Sequence, residues 1–189
     1  MSYNPDQIVI GAGGYFGSAP KGTTGPVNLA ALAAPHQDFG GIHEDGFELN
    51  REAEWETVKV WQSPGVVKHI LTGVELTAEG TVLDWNKTST EEYFSGTWVE
   101  EGADTGIFRL DIPSEPNLPD KMFVLDWKHG LFVYRMVFPR AIMSAQGAIT
   151  LNRGEPAGMP LTISAIATDD APLAYILTND PEMEPVAGP

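Results

Sequence analysis

The run from Glu44 to Gln62, EDGFELNREAEWETVKVWQ, constrains the fold of this chain more than any other stretch. Phe47, Leu49, Ala53 and Trp55 fall on one side of an extended chain, and Glu48, Asn50, Glu52, Glu54 and Glu56 fall on the other. Side chains alternate with a period of two along a strand, so the pattern predicts a long ribbon with one apolar and one acidic face. The apolar side ends after Trp55 and resumes in the opposite phase at Val58 and Val60, which predicts a bulge or bend near Glu56-Thr57. Glutamates repeated along one strand face are not buried without partners. They face water and repel other anions. This points away from a substrate pocket and toward a wet, negative, non-adhesive surface.

Composition narrows the function classes. With 189 residues, 42% of them apolar, the chain suits one globular domain with arms. It carries 11 basic and 26 acidic residues, a net charge of −15. Too few cations are present for nucleic-acid binding by phosphate neutralisation, and the same balance disfavours anionic membranes. Cysteine is absent, so disulfides and thiolate metal sites are excluded. The start, Met1 to Asp6, lacks the basic and apolar character of a signal peptide, and no apolar run has the length of a membrane span. Twenty glycines and fifteen prolines imply many turns, as in an all-β protein.

Residues 1–40 show little periodicity and read as an N-terminal arm, with Gln7–Ile10 a short strand and Leu29–Ala34 a brief apolar patch stopped by Pro35. A β domain follows over residues 41–168. Val66–Leu71 and Val74–Trp85 read as strands, the second again apolar on one face and acidic, at Glu75 and Glu79, on the other. Asn86–Gly96 is the one helix, with a capping-box spacing at Thr88 and Glu91 and a stop at Gly96. Thr105–Ile112 reads as a strand. Lys121–Trp127 and Leu131–Phe138 flank Lys128-His129-Gly130 as a hairpin, and Met159–Ala167 is a last core strand. Residues 169–189 read as an acidic, proline-rich tail, in which Leu173–Leu177 is an edge-strand candidate. Cutting at 178 is therefore expected to be harmless and cutting at 170 destabilising.

No catalytic, cofactor or metal motif stands out. Ile8 to Gly17, IVIGAGGYFG, looks like a dinucleotide-binding turn, but Ser18-Ala19-Pro20 cannot open the helix that would hold a pyrophosphate. A flexible glycine arm is the simpler reading. His36, His43, His69 and His129 are scattered, without a second ligand cluster. Paired acids such as Glu52 and Glu54 belong to a run, not to a glycosidase pair. No Gly-x-Ser-x-Gly elbow occurs, and the five tryptophans read as core or interface anchors.

The order of segments carries a resemblance. Tyr15 to Thr23, YFGSAPKGT, is followed by Gly40 to Leu49, GGIHEDGFEL, then Glu56 to Gln62, ETVKVWQ, and Glu91 to Gly96, EEYFSG. Phe138-Pro139-Arg140-Ala141 and Gly158-Met159-Pro160-Leu161 close the set. This resembles the major tail protein, or tail tube protein, of long non-contractile-tailed phages, especially those of actinobacterial hosts, over roughly residues 7–167. The resemblance implies a mainly β fold: a β-sandwich or partial barrel with one flanking helix and an extended N-terminal arm. It implies stacked hexameric rings forming a channel for DNA ejection, assembled in the host cytoplasm and carried in the virion. Its partners would be other copies of itself and the tape measure, tail tip and tail terminator proteins. DNA would pass without specific binding, and no membrane, cofactor or metal is involved.

On this reading Glu48, Glu52, Glu54, Glu56, Glu75 and Glu79 are candidates for the channel wall. Phe16, Val27, Leu29, Phe39, Pro64 and Val66, in the arm and in the loop Gln62–Lys68, are candidates for contacts between rings or subunits. The arm is expected to order on contact with a neighbour, so that deleting residues 1–30 would permit folding and block tube growth. The alternative function is a carbohydrate-binding β-sandwich with exposed tryptophans lining a sugar groove.

Overall fold

The computed structural model describes residues 8–103, 105–169 and 171–185. Strands β1 (Ala12–Pro20), β2 (Gln37–Asp38), β3 (Ile42–Val60) and β4 (Ser63–Val82) precede the helix α1 (Lys87–Phe94). After it come β5 (Thr97–Glu100), β6 (Phe108–Asp111), β7 (Lys121–His129), β8 (Phe132–Gln146), β9 (Met159–Ala165) and β10 (Tyr175–Thr178). The main sheet is antiparallel and runs β2-β1-β7-β8-β9-β4-β3, with β10 added alongside β8. β5 and β6 form a separate hairpin beside α1. The sheet curls until Phe16 of β1 and Phe47 of β3 meet with ring centroids 4.7 Å apart, yet among the described residues no backbone pairing closes it. The result is the expected mainly β fold of sandwich or partial-barrel type with one flanking helix.

The core lies inside this curl. Phe16, Phe39, Phe123, Phe138, Val82 and Ile163 are fully buried there. Phe39 sits 4.7 Å from Phe16, and Phe123 stacks on it at 6.0 Å. In β7 the consecutive residues Met122, Phe123, Val124 and Leu125 are all buried, because the sheet is covered on both sides here. Phe123 and Leu125 enter the main core, while Met122 and Val124 join Ala19 and Val137 under Leu32 and Tyr175.

Residues 12–20, expected as a flexible glycine arm, are instead an inner strand paired along β7 from Ala12 to Pro20. Glycine is needed here for geometry. Gly13 has φ 64 at a register shift between Ala12 and Gly14, and a Cβ at Gly14 would lie 2.4 Å from the carbonyl of Asp126. Close backbone approach, and not freedom, explains the glycine-rich run. No strand forms over the described residues 8–10, and Gln7 lies outside the described residues.

The hairpin read at residues 121–138 is present, and β8 continues through Pro139 to Gln146. Phe138 faces Phe123 and Ala141 faces Lys121, so the strand carries an extra residue at Pro139-Arg140. A bulge there accommodates a proline that cannot donate to the ladder. The helix is confirmed, but its cap differs. Asn86 is the N-cap: its side chain accepts from Ser89 N at 2.8 Å, and Ser89 Oγ accepts from Asn86 N at 3.1 Å. Thr88 already lies inside the helix, and Asn86 also donates to Phe39 O at 2.9 Å. Ser95, in the left-handed region at φ 52, ends the helix one residue before Gly96.

The C-terminal segment is more tightly held than its composition suggests. β10 pairs with β8 over Tyr175–Thr178. Beyond it, Asn179 Oδ1 accepts from Val133 N at 2.8 Å, and the Tyr134 hydroxyl donates to Asp180 Oδ2. Residues 179 and 180 thus belong to the fold, followed by a single 3-10 turn at Pro181–Met183.

Candidate functional site

β4 pairs with β9 only from Thr77 to Val82. From there to the tip it is held by β3 alone, with partners running to Val60 and Ser63. The two strands therefore leave the body as a two-stranded arm. At roughly 3.3 Å per residue it reaches about 45 Å from Thr77 to its tip. Phe47 lies against Gly80 at its root, where a Cβ on Gly80 would come within 2.7 Å of the ring. That close contact locks the register from which the arm projects.

Register sorts the arm into two faces, because directly opposed residues share a side. Glu48 faces Glu79, Asn50 faces Thr77, and Glu52 faces Glu75. Glu54 and Glu56 continue this side along β3, opposite Gly73 and Ile70. All six glutamates are exposed. Like charges placed directly opposite one another are destabilising, so two such pairs are a cost that folding alone does not explain. The other side carries Phe47, Leu49, Ala53 and Trp55 with Ala78, Leu76, Val74 and Leu71, interrupted by the exposed Arg51 opposite Leu76. Phe47 and Ala78 reach the core, so this is the core-side face of the sheet extended beyond the body. Out on the arm nothing covers it: Leu49, Trp55 and Leu71 are exposed, Trp55 to 58%.

The bulge expected near Glu56-Thr57 is not found in β3, whose alternation continues unbroken through Val58; the irregularity lies in the partner strand. Glu54 faces Gly73 and Trp55 faces Leu71, so the extra residue is Thr72 on the partner strand, and further irregularities follow at Val58–Val60. A pattern read along β3 alone cannot show an insertion in β4.

The expected contact residues divide. Phe16 and Phe39 are fully buried in their own chain's core and offer nothing to a neighbour. Their glycine- and proline-rich surroundings masked strand β1 and the turn into β2. Val27 is 83% exposed and Leu29 half-buried, in the loop between β1 and β2. Pro64 and Val66 are exposed on the arm, where Ser63–Lys68 begins β4 instead of forming a loop. Trp61, one of the five tryptophans read as core or interface anchors, lies outside the candidate contact set yet is fully exposed at the tip, at 100%. Its position in a turn between two long alternating runs was the available signal.

At the root of the arm lies a groove of about 610 Å³, between the start of β1, β7 and Ile42–Leu49 of β3. Phe47, Leu49, Leu125 and Trp127 line it, with Glu44 and Asp45 also on its wall. Asp45 Oδ2 lies 3.0 Å from His43 Nδ1. Among the described residues no group of His, Asp or Glu is arranged to hold a metal ion, and no helix is long and apolar enough to cross a membrane.

A second polar site is structural. Arg135, only 3% exposed, binds Asp126 through Nε–Oδ1 at 2.8 Å and Nη2–Oδ2 at 2.7 Å. Its Nη1 donates to Asn28 O and Ala30 O at 3.0 and 2.8 Å, pinning the β1–β2 loop to the sheet. Tyr175 adds a bond to Pro26 O at 2.9 Å. Beside this pair, burial and the Asp38 and Asp126 charges push the Tyr15 phenol up to about 12, so it stays neutral.

The site is thus a surface, with one repulsive face and one uncovered apolar face on a long projection, and it has the character of an assembly element. A search of curated proteins gave no match. The family model described as Phage tail tube protein matches residues 1–188, and the chain belongs to this family of self-assembling structural tail proteins.

Proposed function

We propose that the chain forms hexameric rings that stack head to tail into the tail tube, with the acidic face of β3–β4 lining the channel through which DNA is ejected. The observation that carries this is the two pairs of directly opposed glutamates, Glu48–Glu79 and Glu52–Glu75, on the outward face of a sheet whose inner face is apolar. Sixfold repetition turns each pair into a negative ring. DNA phosphates are repelled from such a wall and slide without adhering. The uncovered apolar side of the arm then packs on neighbouring copies, which removes it from water. β3 is the last strand of the sheet, and β2, at the other end, covers only two residues of β1. Joining these edges between copies closes a ring and leaves no open edge. Tape measure, tail tip and tail terminator proteins would bound the tube, with assembly in the host cytoplasm.

The test is a phage carrying Glu48→Lys, Glu52→Lys, Glu75→Lys and Glu79→Lys. All four residues are exposed, so tubes should still assemble. DNA ejection should slow, because the wall now attracts phosphate. Ejection at the wild-type rate through normally formed tubes would remove the acidic face from the channel.

A further inference from the structure

We propose that the tip of the β3–β4 arm of one copy docks into the groove at the root of the arm on a second copy. This rests on the tube-forming reading and specifies where successive copies engage. The groove opens where the curled sheet fails to close, so its apolar walls, Phe47, Leu49, Leu125 and Trp127, lead outward from the core. The tip is the chemical counterpart. Val60, Trp61, Val66 and Val67 are exposed there, and Trp61 touches nothing that removes it from water.

Charge selects the pairing. In a chain of net charge −15 most surfaces repel a second copy. The tip is an exception, because Lys59 and Lys68 flank it and, among the described residues, neither has a carboxylate within ion-pair distance. The groove wall carries Glu44 and Asp45. An apolar tip with two free cations thus meets an apolar groove with acids at its edge. Complementary charge steers encounter and fixes orientation, while burial of Trp61 supplies affinity. The tip lies about 45 Å along the ribbon from its own root at roughly 3.3 Å per residue, and continuous pairing of β3 with β4 holds the two apart. Tip and groove are different surfaces, so copies joined head to tail leave one tip and one groove open at the two ends, and the contact propagates.

The chain has no cysteine, which makes a disulfide reporter clean. Gln62→Cys places a thiol beside Trp61. Gly11→Cys places one at the groove, where an added Cβ meets nothing closer than 3.8 Å. Oxidised tubes of the double variant should run as a ladder of covalent multimers on a denaturing gel, and neither single variant should give a ladder. Normal tubes of the double variant without a ladder would overturn this docking and leave the tube reading standing. A folded wild-type chain that forms no tubes would remove both. In a second experiment, Lys59→Glu with Lys68→Glu should slow tube growth about tenfold or more, and adding Glu44→Lys with Asp45→Lys should restore it. Unchanged growth in the first variant, or no recovery in the second, would equally contradict the proposal.

Discussion

Arg135 shows how single residues hold this fold. A guanidinium is buried only when paired and hydrogen-bonded, and here Asp126 and two loop carbonyls supply every contact. Arg135→Ala leaves Asp126 without its partner and frees the β1–β2 loop, so we expect a loss of about 3–5 kcal/mol. Phe16→Ala should cost a similar amount, about 3–5 kcal/mol, through a cavity at the centre of the aromatic cluster. Urea unfolding separates the two causes. Arg135→Ala combined with Asp126→Ala should cost less than the sum of the single changes, because the second removes the orphaned charge. Additive losses would show that the pair is not coupled. Neither residue was legible beforehand. Asp126 and Arg135 sit on a hairpin that its sequence reveals, but their burial depends on a loop that composition marked as a free arm.

At the scale of elements, legibility followed periodicity. The acidic ribbon and the β7–β8 hairpin announce themselves by alternation, and α1 by its polar start and abrupt stop. β1 does not, because glycine and small residues satisfy its tight approach to β7 and leave no alternating pattern. For that reason deletion of residues 1–30, expected to spare folding, removes Phe16 and an inner strand and should unfold the chain. The candidate wall residues were readable because side-chain alternation alone sets their face. The uncovered apolar face was not, since its exposure depends on where β9 stops pairing with β4. The C-terminal element was half legible: Leu173–Leu177 pointed to β10, but its anchorage through Asn179 and Asp180 comes from single polar contacts.

That anchorage has a defined pH response. The Tyr134 hydroxyl and the backbone N–H of Glu182 hold the Asp180 carboxyl below its ordinary value of 3.8. Lys21 and Arg140 do the same for Asp120. Both groups favour the charged form in the fold, so their contribution is present above pH 3.8 and is lost as pH falls through the lower folded values. Amide exchange in Tyr175–Thr178, taken relative to the intrinsic rate at each pH, should therefore rise only in acid below that point. Asp180→Ala should raise it at neutral pH, as should truncation at 178, whereas a chain ending at 184 should behave as wild type. Equal exchange in all of these would show that residues 179–180 do not secure β10.

For the whole molecule, the features left unsatisfied in one copy are the ones that the proposed assembly would cover. A long sheet edge, an apolar face without cover and a fully exposed tryptophan at a projecting tip would be aggregation hazards in a lone protein. Net charge of −15 keeps copies apart until complementary parts meet. In the proposed tube the opposed glutamates would present a surface to which DNA does not adhere. Cryo-electron microscopy of tubes formed by the full chain tests this most directly. The expected map shows sixfold rings with Glu48, Glu52, Glu75 and Glu79 on the inner wall and Leu49, Trp55 and Leu71 buried between copies. A map with those glutamates on the outer surface, or with the apolar face of the arm open to solvent, would contradict it.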